Sequence, residues 1–471
     1  MKKILACLLA LAMLCNSGEL IFAKENSSIV NNSASSYNIS NLSNAPDVVA
    51  ESALVMDAGT GAILYGKNAN TKRYPASITK VMTALLAIEN CNMNDIITYS
   101  NSAVNGIEAG SSTAGINVGA KLTVEDSLYA LMLVSANEAA AAIAEHVSGS
   151  VDAFAKLMTT RAKELGCTGT NFKNPHGLPD EEHYTTAHDM GLILKEALKH
   201  EEFCKISGTI SYTLKKSKTL DSTLELWNHA KILRKSSDYY YECAKGAKTG
   251  FTHAALNTLV TYAQKGNTKL ICVILKDYGA DNSYKDTKRL FQWAFSQVKQ
   301  ITPLSQFDFN DALSSNKKLK EKQKDQIRLL NCTFDTNYPI LVPKDFDASS
   351  LTTAFSIDED KKAGRIGYIT ISCNNQVIGK TPVVYDTSTK QGKAYQEGNS
   401  VSDNLKTVHV TSKKEQKLRK GLEYCVRIIV AILLVVTIMN LIRRRELERR
   451  RQERIANRHH SSPSDDEDSQ E

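Results

Sequence analysis

The sequence predicts an α+β protein in which strands from both ends of one domain enclose a run of helices. Period-two apolar alternation occurs close to residue 53 and again after Cys243, whereas the chain between them repeats its apolar residues every three or four positions. A further apolar run near the C-terminus, set between arginines, adds a membrane helix to the expected architecture.

The chain has 471 residues, enough for two or three domains. Residues 1–23 read as a secretory signal: Lys2 and Lys3 supply charge, Ile4 to Leu14 an apolar stretch too short to span, and Ala23 a cleavage point. Bulky Leu14 argues against lipid attachment at Cys15. Residues 24–45 are dominated by Ser and Asn and read as a flexible leader.

Residues 46–301 carry the main pattern. SALVMD alternates into a strand, Ala58 to Gly61 turn the chain, and AILYG returns as the second strand of a hairpin. Helical spacing runs from Ser77 to Glu89, recurs on either side of Ser135 in TVEDSLYALMLV and NEAAAAIAEHV, and continues in FAKLMTTRAKELG and TAHDMGLILKEALKH. LNTLVTYAQ and KLICVILKD then read as strands joined at Lys265-Gly266-Asn267, and TKRLFQWAFSQV as a closing helix. Residues 302–410 show short strands and turns, which predict a smaller β-rich domain.

A basic segment, 411–421, precedes the expected membrane helix, 422–442. Ile428 to Ile442 alone would cover about 22 Å as a helix, short of a hydrocarbon core of roughly 30 Å. Leu422 to Val426 are therefore included, with Arg427 snorkelling. The segment has no polar face, so spanning is expected rather than lying flat. The tail, 443–471, is then cytoplasmic and the domains before the segment extracytoplasmic in a single-pass protein of the cell membrane.

The formal net charge of +7 is unevenly spread, with eight arginines between Arg443 and Arg458 and an acidic run at Asp465 to Asp468. Such blocks are solvated tails, and no nucleic acid is expected as a partner. Outside the signal and membrane segments the cysteines are Cys91, Cys167, Cys204, Cys243, Cys272, Cys332 and Cys373, odd in number and without short spacings. They read as buried small hydrophobes, neither a disulfide framework nor a metal knuckle.

Three short motifs carry chemistry. Ser77-Ile78-Thr79-Lys80 is an S-x-x-K tetrad opening a helix, and helical spacing sets Lys80 beside Ser77. A hydroxyl becomes a good nucleophile once a neighbour takes its proton. A lysine can do so when burial and a second cation disfavour its charged form. Ser135-Ala136-Asn137 lies where one helix ends and another begins, and Lys248-Thr249-Gly250 falls on a strand. Each has a bland reading taken alone: a helix cap with a solvated lysine, an N-cap, and an edge strand with an exposed lysine. Their order along an exported chain favours the chemical one.

The trio is similar to the signature of penicillin-binding proteins and serine β-lactamases. SALVMDAGTGAILYGKNANTKRYPASITKVMTALLAIE, KLTVEDSLYALMLVSANEAAAAIAEHVSGS, NFKNPHGL and TAHDMGLILKEAL resemble the low-molecular-mass D-alanyl-D-alanine carboxypeptidases, peptidase family S11, across Val48 to Val298. The resemblance implies a β-lactamase/transpeptidase-like catalytic fold, an antiparallel sheet with helices. It also implies removal of the terminal D-alanine from peptidoglycan stem peptides through an acyl-enzyme, with β-lactam antibiotics as covalent inhibitors. On that resemblance Ser77 attacks, Lys80 is its base, and Ser135 relays a proton to the leaving amine. Asn137 holds the peptide, Lys248 and Thr249 receive the substrate carboxylate, and Gly250 gives room. The backbone N–H groups of Ser77 and Phe251 form the oxyanion hole.

Phe251 stands where relatives often carry His or Tyr, and Lys269 where several carry an arginine for the substrate carboxylate, so that the charge is kept without the bidentate fork. His176, in Asn174-Pro175-His176-Gly177, is expected to be structural, since the serine–lysine system supplies its own base. No metal or other cofactor is expected. A class A β-lactamase would normally carry an E-x-x-L-N loop after the second motif, and the sequence has none. A transpeptidase would use the same acyl-enzyme, and a non-catalytic wall-binding scaffold would have no need of Ser77, Lys80 and Lys248.

Overall fold

The computed structural model describes Ile39 and residues 42–397. The expected signal, most of the leader, residues 398–410, the basic segment 411–421, the expected membrane helix 422–442 and the tail 443–471 lie outside the described residues. Among the described residues no helix is long and apolar enough to cross a membrane.

Strands β1 (Ser52–Asp57) and β2 (Ile63–Lys67) form the expected hairpin. A 3-10 turn, Ala76–Thr79, leads into α1 (Lys80–Asn90), so the helix expected from Ser77 opens one turn later. Ala76, where the 3-10 turn begins, has φ of +51°, outside the right-handed helical region. β3 (Ile96–Thr98) and β4 (Lys121–Thr123) pair antiparallel around the short α2 (Asn101–Asn105). Helices α3 (Val124–Leu133) and α4 (Asn137–Ser148) flank Ser135 as expected. They are followed by α5 (Val151–Glu164), α6 (Ala187–Ala197) and α7 (Glu201–Gly208).

Side-chain caps fix several helix starts: Thr123 accepts from Asp126 N–H, Ser150 from Ala153 N–H and Thr186 from Asp189 N–H. The hairpin β5 (Ser211–Leu214) and β6 (Leu224–Trp227) comes next, then β7 (Ala244–Thr252), β8 (Leu256–Lys265), β9 (Thr268–Asp277) and α8 (Ala280–Gln297).

The central sheet has the order β2-β1-β9-β8-β7, with every neighbouring pair antiparallel. Two of its three inner strands, β1 and β9, read as continuous apolar runs because both faces are covered. Leu54 and Met56 of β1 and Ile271, Val273 and Leu275 of β9 enter the core beneath α1 and α3–α7. Ala53, Val55, Leu270, Cys272 and Ile274 face the opposite way, onto Leu290, Phe291 and Ala294 of α8. Alternation of two along each strand thus sorts one sequence into two cores.

Beyond α8, β10 (Val298–Ile301) pairs antiparallel with β11 (Ile340–Pro343). Helices α9 (Phe309–Ser315) and α10 (Glu321–Arg328) lie between them in the chain. β12 (Leu351–Asp360), β13 (Arg365–Cys373) and β14 (Gln376–Val384) form a three-stranded sheet, and α11 (Lys390–Glu397) follows. Residues 302–397 thus hold three short helices besides the strands expected there. Asp308 caps α9 through Asn310 and Asp311 N–H, whereas EKQKDQIR offers little apolar periodicity of its own and buries Ile327 through tertiary packing.

The described residues divide into two compact units: one takes the chain to Lys317 with Thr333–Ser356 and Tyr368–Val383, the other Lys318–Cys332, Ile357–Gly367 and the chain from Val384. The division does not fall at the boundary expected at residue 301. Among the described residues all seven cysteines are free, with Cys167, Cys272 and Cys373 buried.

Ile274, wholly buried on β9, and Ser150, the exposed cap of α5, separate core from cap. Ile274→Ala should lower unfolding stability by about 2–5 kcal/mol, and Ser150→Ala by about 1 kcal/mol. Urea unfolding of the two variants checks the order.

Candidate active site

The chain reaches Ser77 along a fixed path. Arg73 exchanges backbone hydrogen bonds with Thr185 at 2.8 and 2.9 Å, and its guanidinium pairs with Glu51 at 2.9 Å. The Thr258 hydroxyl on β8 donates to Pro75 O at 2.8 Å. Ala76 then takes its left-handed conformation, and Ser77 follows, half-buried. Two glycines make this possible. A Cβ on Gly177 would lie 1.9 Å from Ala76 O, and one on Gly250 would lie 2.8 Å from Ser77 N. Edge strand β7 can therefore press against the Ser77 segment only where it carries glycine.

Lys80, at the head of α1, is wholly buried. Its Nζ lies 2.9 Å from Ser77 Oγ, 2.7 Å from Asn137 Oδ1 and 2.7 Å from His176 O. The last two are carbonyl oxygens and can only accept. They take the two N–H groups of a neutral amine, leaving its lone pair for the Ser77 hydroxyl proton. Electrostatics agree: burial, then the charge of Lys248, hold Lys80 well below the ordinary lysine range, and Glu138 opposes them.

Ser135 sits between α3 and α4 with φ of +64°, a second strained residue, and is buried. Its Oγ accepts from Lys248 Nζ at 3.1 Å, and the same ammonium donates to Thr249 O at 2.8 Å. Burial lowers Lys248 to about 7. Asn137 is the first residue of α4, and its N–H, which has no partner within the helix, donates to Ser112 O at 2.9 Å. The structure thus gathers Ser77, Lys80, Ser135, Asn137, Lys248, Thr249 and Gly250 at one end of the sheet. Phe251 follows on β7 with its ring exposed.

Lys269 does not join them. Lys248 is level with Val260 and Val273 across the sheet. Lys269 lies four residues back along β9 from Val273, about 13 Å at ~3.3 Å per residue, and two strands away. It lines a separate cavity of about 200 Å³ with Asp57 and Lys195. The expectation that it assists the substrate carboxylate is corrected: an equivalent position in an apolar run was taken for an equivalent place in space.

Three contributors were not legible as such. His176 acts through its backbone carbonyl on Lys80, not its ring, whose pKa burial and the Lys80 charge push down to about 3. His183 is also held neutral, lowered by burial to about 4. Its Nδ1 accepts from Lys173 N–H at 3.1 Å, so Nε2 carries the proton and donates to Thr79 Oγ1 at 2.9 Å, inside the tetrad. Glu138, adjacent to Asn137, gathers loop donors on its carboxylate. The stretch NPHGL was the available sequence signal for the first; the others needed the fold.

A family model described as D-alanyl-D-alanine carboxypeptidase, Peptidase_S11, matches residues 39–279. The chain belongs to this family. D-alanyl-D-alanine carboxypeptidase DacF of Bacillus subtilis is 30% identical over 401 residues, spanning 83% of this chain and 95% of that relative. DacC of Escherichia coli is 29% identical over 360 residues, 74% of this chain and 86% of the relative. Among solved structures, a D-alanyl-D-alanine carboxypeptidase of Mycobacterium tuberculosis is similar at TM-score 0.50 and 27% identity, covering 55% of this chain and 96% of that one. The family fold, an α+β penicillin-binding architecture with an antiparallel sheet, and the activity, a serine-type DD-carboxypeptidase hydrolase, follow from this membership.

The Lys80 environment sets a pH dependence. A neutral Lys80 amine acting as the base predicts that acylation by a penicillin falls as pH drops through the lowered Lys80 pKa and the amine gains its proton. Lys80→Arg should be nearly inactive at every pH, because a guanidinium stays protonated. Stopped-flow acylation rates between pH 4 and pH 9 check both, and a normally acylating arginine variant would assign the base elsewhere.

Proposed function

We propose that Ser77 is the acylating nucleophile of this DD-carboxypeptidase and that Lys80 is its general base. The observation that carries this is the 2.9 Å contact between Ser77 Oγ and a wholly buried Lys80 Nζ whose other two partners are carbonyl oxygens.

Lys80 takes the hydroxyl proton as Ser77 Oγ attacks the carbonyl of the penultimate D-alanine. The developing oxyanion is received by the N–H groups of Ser77 and Phe251. As the tetrahedral centre collapses, the C–N bond breaks and Ser135 passes a proton to the departing D-alanine amine, drawing on Lys248 3.1 Å away. Water then adds to the ester and releases the shortened stem peptide. Lys248 and Thr249 hold the terminal carboxylate, and Asn137 the peptide. A penicillin follows the first half of the same path, since attack opens its ring to an ester on Ser77.

Labelled penicillin should attach at Ser77, and Ser77→Ala should abolish both labelling and D-alanine release from a D-Ala-D-Ala pentapeptide while circular dichroism stays unchanged. Peptide mapping of the label to another residue would overturn the assignment.

We also propose, from the sequence of residues 422–442, that the chain is anchored by a single membrane helix with the catalytic domain outside. Within it Ile428 to Ile442 have no polar face, and such a stretch is better buried by spanning than by lying flat. Protease added outside intact cells should remove the catalytic domain and leave a protected fragment containing Arg443 to Glu471. Release by high salt or alkali without detergent would show surface binding instead.

A further inference from the structure

Glu138 has no part in the steps above, yet it directly follows Asn137 in α4 and is 1% exposed. One oxygen, Oε1, accepts from the Thr113 hydroxyl at 2.6 Å and from the N–H groups of Ala114, Gly115 and Ile116 at 2.7, 3.1 and 3.4 Å. The other, Oε2, is buried with no hydrogen-bond partner. A buried carboxylate so placed is costly unless its contacts organise something.

What it organises lies one residue away. The same loop offers Ser112 O to Asn137 N–H at 2.9 Å, so residues 112–116 grip two consecutive residues at the head of α4. The first turn of a helix lacks its own partners for these donors, and Ser135 and Ala136 ahead of it are not helical. The Asn137 side chain in turn meets Lys80 Nζ at 2.7 Å.

We propose that Glu138 is a positioning residue for acylation: its buried carboxylate clamps the 112–116 loop to the head of α4 and thereby holds the Asn137 amide where it keeps Lys80 against Ser77.

The clamp is also a charge. The titratable groups facing Lys80 are Lys248 from β7, Glu138 from α4, and His176 and His183 from the segment after α5. Tyr99 faces Glu138 from the other side. With both histidines neutral, Lys248 drives the Lys80 proton off and Glu138 retains it. Removing the Glu138 charge therefore lowers the Lys80 pKa further, and the acid limb of acylation moves to lower pH.

The proposal rests on acylation at Ser77, and its test uses full-length protein in detergent with a fluorescent penicillin. Glu138→Gln keeps shape and an acceptor oxygen without the charge, whereas Glu138→Ala removes both. Glu138→Ala should acylate at least ~10-fold more slowly at every pH, and Glu138→Gln should stay within about threefold at the plateau with its acid limb displaced to lower pH. A folded Glu138→Ala acylating at the wild-type rate overturns the proposal, and so does a Glu138→Gln acid limb in the wild-type place. If the alanine variant fails to fold, the glutamine variant decides alone. Wild-type protein that does not label at Ser77 overturns the nucleophile assignment itself, a result distinct from either variant outcome.

Discussion

Burying the Lys80 ammonium costs several kcal/mol unless the proton leaves or fixed partners replace its water, and the structure around it does both. Its three polar neighbours come from three different parts of the chain: the tetrad, the head of α4 and the 174–178 loop. Each must be brought to within hydrogen-bond distance by its own support. The loop is held by Asn174 at both ends, donating to Leu178 O and accepting from Gly177 N–H, and by the Thr83 hydroxyl on Pro175 O at 2.6 Å. Gly177 passes under Ala76 so closely that any side chain there would displace the nucleophile segment. The requirements of one amine therefore reach into α1, α4 and a loop far from each in sequence.

Two residues at the site hold left-handed backbones without being glycine, Ala76 before Ser77 and Ser135 itself. Each conformation costs of order 1–2 kcal/mol and persists because the neighbours over-determine it. At Ala76 the determinants are the Thr258 bond to Pro75 O and the pairing of Arg73 with Thr185. At Ser135 they are Ala136 N–H on Ala130 O and Asn137 N–H on Ser112 O.

Much of this was legible in the chain. The tetrad, the Ser135 turn and the Lys248 strand could be read because their spacing alone brings groups together or marks element boundaries. β1, β8 and β9 were visible as short apolar runs bounded by turn residues, because each of their faces meets its own core. Lys269 was misplaced because alternation fixes which face a residue occupies but not how far along the sheet it lies; register does that. His176 and Glu138 escaped because a backbone carbonyl and a loop anchor leave no residue-type signature. The helices after residue 301 escaped because short polar helices owe their existence to packing.

The two buried lysines are not redundant. Lys248 is lowered by burial alone to about 7, whereas Lys80 is lowered by burial and by Lys248 as well. A charge on Lys248 therefore favours loss of the proton from the amine beside Ser77. A substrate carboxylate arriving at Lys248 favours the charged form there. That charge in turn acts on Lys80 and holds it neutral. On the proposed roles of Lys248 and Lys80, binding of the terminal carboxylate and readiness of the base are thus linked through one cation–cation repulsion. A substrate without the terminal carboxylate loses both the contact and this bias on Lys80, so its penalty falls on acylation as well as on binding.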